Sequence, residues 1–329
     1  MSGSNWFKNR LLALISWLVL AGPWNGVLFA QQHKSYEADF PSVSHIAYHQ
    51  YFTDSCENSN ISFRADFPLS GVNALVDEVN LLEQDMISYL SLSQEREKIE
   101  IFIFDQKTNY LEFLKKEFPD APLDRRALFI KKPNSPGIVV LQLTREIDDD
   151  VRHEMTHAFL HSRFSSIPLW LDEGLAEYFE LPRDQRAFQK PYMKKAVGRF
   201  MFSKTVPSLQ KLEKIDDFYS FGLKEYQQSW AWIHFMIHHS QETHQLLAAY
   251  LTQIGSGKTA NSLEQYLADT IPDYKNEYLR HFESWNQRQD ENAEQLRSLT
   301  PTESNASLNV PDNHEEVAAE QTQKNVVFR

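Results

Sequence analysis

The pentapeptide His153-Glu154-Met155-Thr156-His157 contains two histidines four residues apart. On an α-helix, residues at this spacing project from one face, one turn apart. Both imidazoles can therefore reach a single ion, and imidazole is a common ligand of Zn²⁺. Glu154 follows the first histidine, where its carboxylate can serve as the base for a water in front of the metal. The pattern predicts a metal-dependent hydrolytic site.

A second segment, residues 170–178, supplies a carboxylate for the same ion. It reads WLDEGLAEY and begins thirteen positions after His157, just beyond Pro168. The chain can fold back there onto the first helix and bring Glu173 to the histidines. Two histidines, one carboxylate and an open fourth position are typical of a catalytic zinc site rather than a structural one. We therefore expect one Zn²⁺ per chain, bound by His153, His157 and Glu173.

These motifs resemble those of the gluzincin metallopeptidases, the group that contains thermolysin and the alanyl-aminopeptidase-like enzymes. Residues 170–176 are similar to the aminopeptidase segment WLNEGFA, with Glu173 in the ligand place. The fifteen residues between His157 and Glu173 are fewer than in those enzymes, and the aminopeptidase element GxMEN is absent from the sequence. The run from about residue 60 to 285 looks closer to a poorly characterised bacterial group of secreted, peptidase-MA-like domains.

The resemblance implies an α+β fold, thermolysin- or gluzincin-like, in which a small mixed sheet places an edge strand over the HExxH helix and a mostly helical half follows.

It also implies roles for two further residues. Glu177, four residues after the ligand glutamate, would hydrogen-bond His153, with a solvated glutamate as the alternative. Tyr226 would face the zinc and donate its phenol proton to a developing oxyanion. A tyrosine that anchors a helix end to the core is the alternative for Tyr226.

The sequence argues against two other arrangements of the metal ligands. Metzincins need glycine three and histidine six places after the second histidine, but this chain has Leu160 and Arg163 there. His161 extends the series of histidines at four-residue spacing. Two helical turns span about 12 Å, so one ion cannot bind all three on a straight helix. We therefore expect His161 to be a surface or packing residue.

Composition excludes some classes of protein. The 329 residues carry a net charge of −12 and no basic stripe, which argues against a nucleic-acid partner. The single cysteine excludes an intrachain disulfide. With 42% hydrophobic residues the chain can bury a large core. No sequence feature indicates an oligomeric state.

The amino terminus is typical of an exported protein. Lys8 and Arg10 precede the apolar run 11–21, so residues 1–30 are predicted to be a signal peptide. The alternative is an uncleaved membrane anchor over residues 11–30. The turn-forming dipeptides Gly22-Pro23 and Asn25-Gly26 interrupt residues 11–30 and favour cleavage. Either form places the rest of the chain outside the cytoplasm, in a periplasmic or secreted location.

The remaining sequence predicts three regions: an α+β metal-binding subdomain over 31–180, a helical subdomain over 181–289 and a disordered acidic tail over 290–329. We expect the strand 137–143 to border the metal cleft, where Leu141 or a neighbour pairs with an extended substrate. The other predicted elements are one or two strands within 44–66, strands over 99–104 and 128–130, and helices over 74–90, 109–118, 226–239, 246–254, 261–267 and 274–285.

These features predict an exported zinc-dependent peptidase that acts on a peptide or protein substrate, with Glu154 as general base. Two alternatives belong to other classes. One is a catalytically inactive, zinc-stabilised binding module, against which the intact Glu154 argues. The other is a membrane-tethered accessory protein that binds partners through its acidic tail.

Overall fold

The computed structural model describes residues 51–58, 60–187, 191–257 and 262–299. The predicted signal peptide or anchor, residues 1–30, lies outside the described residues. Within the described ranges, no helix is long and apolar enough to cross a membrane.

Five strands form one mixed sheet in the order β1-β2-β3-β5-β4. The central pairs β2–β3 and β3–β5 are parallel, whereas the outer pairs β1–β2 and β4–β5 are antiparallel. The strands are β1 Asp54–Asn58, β2 Ile61–Ala65, β3 Ile99–Phe104, β4 Ala127–Lys131 and β5 Gly137–Gln142.

Helices cover both faces of this sheet. The bounds of the first three are α1 Asn73–Leu90, α2 Lys107–Glu117 and α3 Ile147–His161. Strand β3 is buried along its whole length, and alternate residues point to opposite faces. Its isoleucines join the core that contains α1 and α3, whereas Phe102 and Phe104 pack with α2 in a second core. The predicted strand over 99–104, buried on both faces, is confirmed.

After α3, the described chain consists of helices joined by loops, with one short 3₁₀ helix over Phe218–Ser220. Together with the sheet, these helices confirm the expectation of a mixed α+β fold. The helices are α4 Leu169–Phe179, α5 Pro191–Ser203, α6 Leu209–Leu212, α7 Leu223–His238, α8 Gln241–Gly255, α9 Leu263–Thr270 and α10 Tyr274–Leu299.

Helices α4 and α7 approach closely at Gly174. A Cβ atom at this position would lie 2.9 Å from Cγ1 of Ile233 and 3.0 Å from the backbone of Ser229. Both distances are shorter than van der Waals contact, so glycine is needed for this approach. The contact joins the helix that carries Glu173 to the helix that carries Tyr226.

One predicted strand position and two predicted region boundaries can be compared with the structure: the place of β5, the start of the tail and the division at residue 180. Strand β5, which carries Leu141, lies between β3 and β4, so its backbone is paired on both sides and the edge near α3 belongs to β4. Helix α10 continues to Leu299, beyond the predicted start of the disordered tail at residue 290. Buried side chains from both sides of the boundary at residue 180 form one core, so that boundary separates types of secondary structure rather than cores.

Candidate metal centre

Helix α3 places the two histidines of the pentapeptide side by side. Nε2 of His153 and Nε2 of His157 are 3.3 Å apart, and the rings meet edge-on at 76°. The first turn of this helix contains Asp148, Asp149 and Asp150, whose charge suits the positive helix terminus. The two imidazoles therefore point at one location from a single rigid element.

Helix α4 brings the carboxylate of Glu173 to the same location. The chain reverses between α3 and α4, and α4 begins directly after Pro168. Oε2 of Glu173 lies 3.8 Å from Nε2 of His157. One ligand atom from each of His153, His157 and Glu173 lies within 4.8 Å of the others, so the predicted ligand set is brought together.

The other ring nitrogen of each histidine contacts a carboxylate. Nδ1 of His157 is 2.9 Å from Oδ1 of Asp172, and Nδ1 of His153 is 3.2 Å from Oε2 of Glu180. An ionised carboxylate only accepts hydrogen bonds, so each Nδ1 donates. In the neutral ring, this leaves the lone pair of Nε2 directed at the candidate site, as a metal ligand requires.

Glu180, rather than Glu177, provides the carboxylate at Nδ1 of His153, which corrects the predicted role of Glu177. Glu180 follows Glu173 by seven residues, two helical turns, and so lies on the same face of α4. Nε of Arg152 donates to the backbone carbonyl of Glu180 at 2.5 Å and ties the end of α4 to α3. Glu177 lies near enough to the site for its charge to help raise the pKa of Glu173.

His161 is half-buried and packs against the ring of Phe129, as expected of a surface or packing residue, but it also has a polar partner. Its Nε2 lies 2.9 Å from Oδ2 of Asp172. Sequence reasoning overlooked Asp172 and Glu180. The signal for Asp172 was its place directly before Glu173, and the signal for Glu180 was its spacing of two turns from Glu173.

Charge and burial shift the pKa values of these groups. Burial disfavours the charged form of His157, but Asp172, Glu173 and Glu154 outweigh it and raise the pKa of His157 to about 10. Burial also disfavours ionised Asp172, but His157 and His161 hold the pKa of Asp172 well below its usual range. Burial raises the pKa of Glu173. The centre is therefore a buried group of acids that a cation would stabilise.

The two predicted catalytic residues are both close to this centre. Glu154 is buried beside His153 on α3. Tyr226 lies in the first turn of α7, edge-on to Phe221 at a ring-centroid distance of 4.9 Å. Burial raises the pKa of the Tyr226 phenol, and the negative charge of Glu173 raises it further. The phenol therefore keeps its proton at neutral pH and lies near enough to the acids of the centre for their charge to act on it.

Comparison with protein families finds a similarity to a family of unknown function. Residues 149–259 are similar to the family described as "Protein of unknown function (DUF1570)". The matched segment contains both histidines, Glu173 and Tyr226 but none of the five strands. A search of curated proteins found no match.

The donor set and its spacing fit zinc. Two nitrogens bound at about 2.0–2.1 Å to a tetrahedral ion lie roughly 3.3–3.4 Å apart. The two Nε2 atoms here are 3.3 Å apart. Two imidazoles and one carboxylate are also the donors of many catalytic zinc sites. His153, His157 and Glu173 could therefore hold Zn²⁺.

Proposed function

We propose that this chain is an exported, zinc-dependent peptidase of the gluzincin type. The observation that carries the proposal is the convergence of His153, His157 and Glu173 beside the buried carboxylate of Glu154. Each ligand histidine is oriented through Nδ1 by its own carboxylate. Such support is typical of metal-ligating histidines and raises their basicity.

His153, His157 and Glu173 would hold the zinc. A bound zinc ion would supply Lewis acidity, which polarises a peptide carbonyl and lowers the pKa of water. Glu154, next to His153, would accept a proton from the attacking water and return it to the leaving amine. Its burial keeps bulk water from competing for that proton.

Tyr226 would stabilise charge on the reacting carbonyl. Its phenol stays protonated for the reasons given above, so it can donate a hydrogen bond as negative charge develops on the carbonyl oxygen. Because Tyr226 lies in the first turn of α7, its position depends on the close packing of α7 against α4 at Gly174.

Strand β4 would hold the substrate backbone. It is the edge strand nearest α3, and the ring of Phe129 on this strand stacks near His157 at a centroid distance of 6.2 Å. An extended peptide can add to the edge of a sheet through main-chain hydrogen bonds. The substrate would then lie on β4 and not on β5, the strand that the sequence predicted.

Export would follow from residues 1–30, acting as a signal peptide or as an anchor that leaves the catalytic residues outside the cytoplasm. A peptidase in the periplasm or medium is consistent with an acidic chain that holds one cysteine.

The test is cleavage of a quenched peptide library by the purified protein, before and after zinc removal by a chelator. We expect cleavage that stops on chelation and returns with added Zn²⁺. Glu154→Gln should bind one zinc per chain but cleave at least about 10²-fold more slowly, because an amide cannot accept the proton. Zinc binding without any cleavage by the wild-type protein would instead favour a binding module.

A further inference from the structure

Asp172 is shared between two histidines of α3. Its Oδ1 lies 2.9 Å from Nδ1 of His157, and its Oδ2 lies 2.9 Å from Nε2 of His161. Both rings donate, because the ionised carboxylate has only acceptor sites. The two oxygens of Asp172 therefore have different partners, and one of these partners is not a candidate ligand.

The three side chains form a row that leads from the surface to the metal centre. His161 and His157 are one turn apart on α3, and their side chains are 21% and 8% exposed. The ring of Phe129 lies against both imidazoles, at centroid distances of 5.3 Å and 6.2 Å. His161 is therefore held at the outer end of the row by packing as well as by its hydrogen bond.

We propose that His161 is a positioning residue of the metal centre. By donating from Nε2 to Oδ2, it holds the Asp172 carboxylate so that Oδ1 accepts from His157, and this aims Nε2 of His157 at the metal. Without that donor, the carboxylate can rotate about its last side-chain torsion, which is broad in aspartate. The inference rests on the proposed metal centre but does not require peptidase activity.

The test compares His161→Gln with His161→Asn. The amide nitrogen of glutamine can reach the place of Nε2 in histidine, whereas the shorter asparagine cannot reach Asp172. Zinc affinity is measured by competition with a chromophoric chelator, and ligand geometry is measured from the visible spectrum of the Co²⁺-substituted protein. We expect His161→Asn to lose about tenfold in zinc affinity, as changes to groups around metal ligands do, and to alter the Co²⁺ spectrum. His161→Gln should stay within about threefold of wild type.

His239→Asn is the matched control. This half-buried histidine follows α7 and lies 3.4 Å from a carboxylate oxygen of Glu277, outside the row. Its replacement should leave zinc affinity unchanged. Thermal unfolding of the metal-free variants identifies a purely structural role, in which His161→Asn lowers the melting temperature but not the zinc affinity of the folded protein.

Equal zinc affinity in wild type and His161→Asn would overturn the inference, as would equal losses in the asparagine and glutamine variants. A wild-type protein that binds zinc but cleaves no peptide would remove the proposed peptidase and leave this inference supported by the affinity series. A wild-type protein that binds no zinc would overturn both.

Discussion

At the scale of single residues, the centre is organised by acids that do not themselves belong to the ligand set. Asp172 and Glu180 each accept a hydrogen bond from one ligand histidine. Both lie on or next to the helix that carries Glu173, so one element supplies a ligand and orients the other two. Zinc affinity should therefore depend on residues that never touch the metal.

Glu180→Ala should weaken zinc binding by about 10–100-fold, because His153 loses the group that fixes its tautomer and ring orientation. Glu177→Ala should weaken binding less, since Glu180 supplies the carboxylate at Nδ1 of His153, whereas Glu177 acts on the centre through its charge. Competition with a chelator measures both affinities. A larger loss in Glu177→Ala would return the supporting role to Glu177.

Tyr226→Phe should lower kcat by about 10²–10³-fold with little change in KM, the usual result when one oxyanion donor is removed. The phenylalanine ring keeps the edge-on contact with Phe221, and zinc content should stay the same. Steady-state kinetics and metal analysis provide the readouts. An unchanged kcat with a lower melting temperature would show that Tyr226 supports the core alone.

At the scale of secondary-structure elements, the distance between α4 and α7 determines how the centre is assembled. Glu173 is on one of these helices and Tyr226 is on the other. Gly174 allows their close contact, because any side chain there would meet Ile233 and the backbone of Ser229. The spacing of these helices should therefore affect stability and, in the proposed peptidase, catalysis as well.

Gly174→Ala should lower the free energy of unfolding by about 1–3 kcal/mol, the typical cost of overpacking a core. It should also lower kcat, since α7 must move together with Tyr226. Gly198→Ala on α5 is the matched control, because a Cβ there meets no atom within 4 Å. In an unstrained helical position, that change should stabilise the protein by up to about 1 kcal/mol. Urea unfolding measures both values, and equal effects of the two variants would refute the packing argument.

At the scale of the whole molecule, buried histidines join the helices of the second half. Nε2 of His234 donates to the carbonyl of Ala187 at 2.9 Å, so its Nδ1 accepts from Nε2 of His281, also at 2.9 Å. Nε2 of His238 lies 2.7 Å from the hydroxyl of Tyr178. Burial lowers the pKa of His238 to about 4 and of His281 to about 3.

These shifts predict a loss of stability in acid. The histidines are neutral in the folded protein, whereas in the unfolded chain they bind protons below a pKa of about 6.5. Their stabilising contribution is complete above that pH and is lost as the pH falls towards 4 and 3. Each group accounts for up to about 1.4 kcal/mol per pH unit in this interval.

Urea unfolding at pH 7 and pH 5 tests this prediction, with His281→Asn as the comparison. The decrease in stability between the two pH values should be smaller in the variant, because one depressed histidine is gone. Contributions from groups that do not interact with His281 cancel in this difference. An identical decrease in both proteins would show that His281 does not titrate in this way.

Local spacing in the sequence identified the two histidines of the candidate ligand set, whereas Glu173 came from the likeness of residues 170–176 to a known ligand segment. The spacing of His153 and His157 matches one helical turn, so their convergence depends on backbone geometry alone. The apolar run over 99–104, which Glu100 interrupts, likewise predicted a strand buried on both faces. The mixed α+β class followed from the order of such elements along the chain.

Tertiary structure alone decided which carboxylate meets which histidine and which strand forms the edge. Asp172 and Glu180 reach Nδ1 of their histidines only because α4 crosses α3 at a particular angle and depth, which packing across the core determines. The edge belongs to β4 because β5 pairs with β3, a contact between segments more than thirty residues apart. Neither relation has a signature in local spacing, because each depends on how distant surfaces fit together.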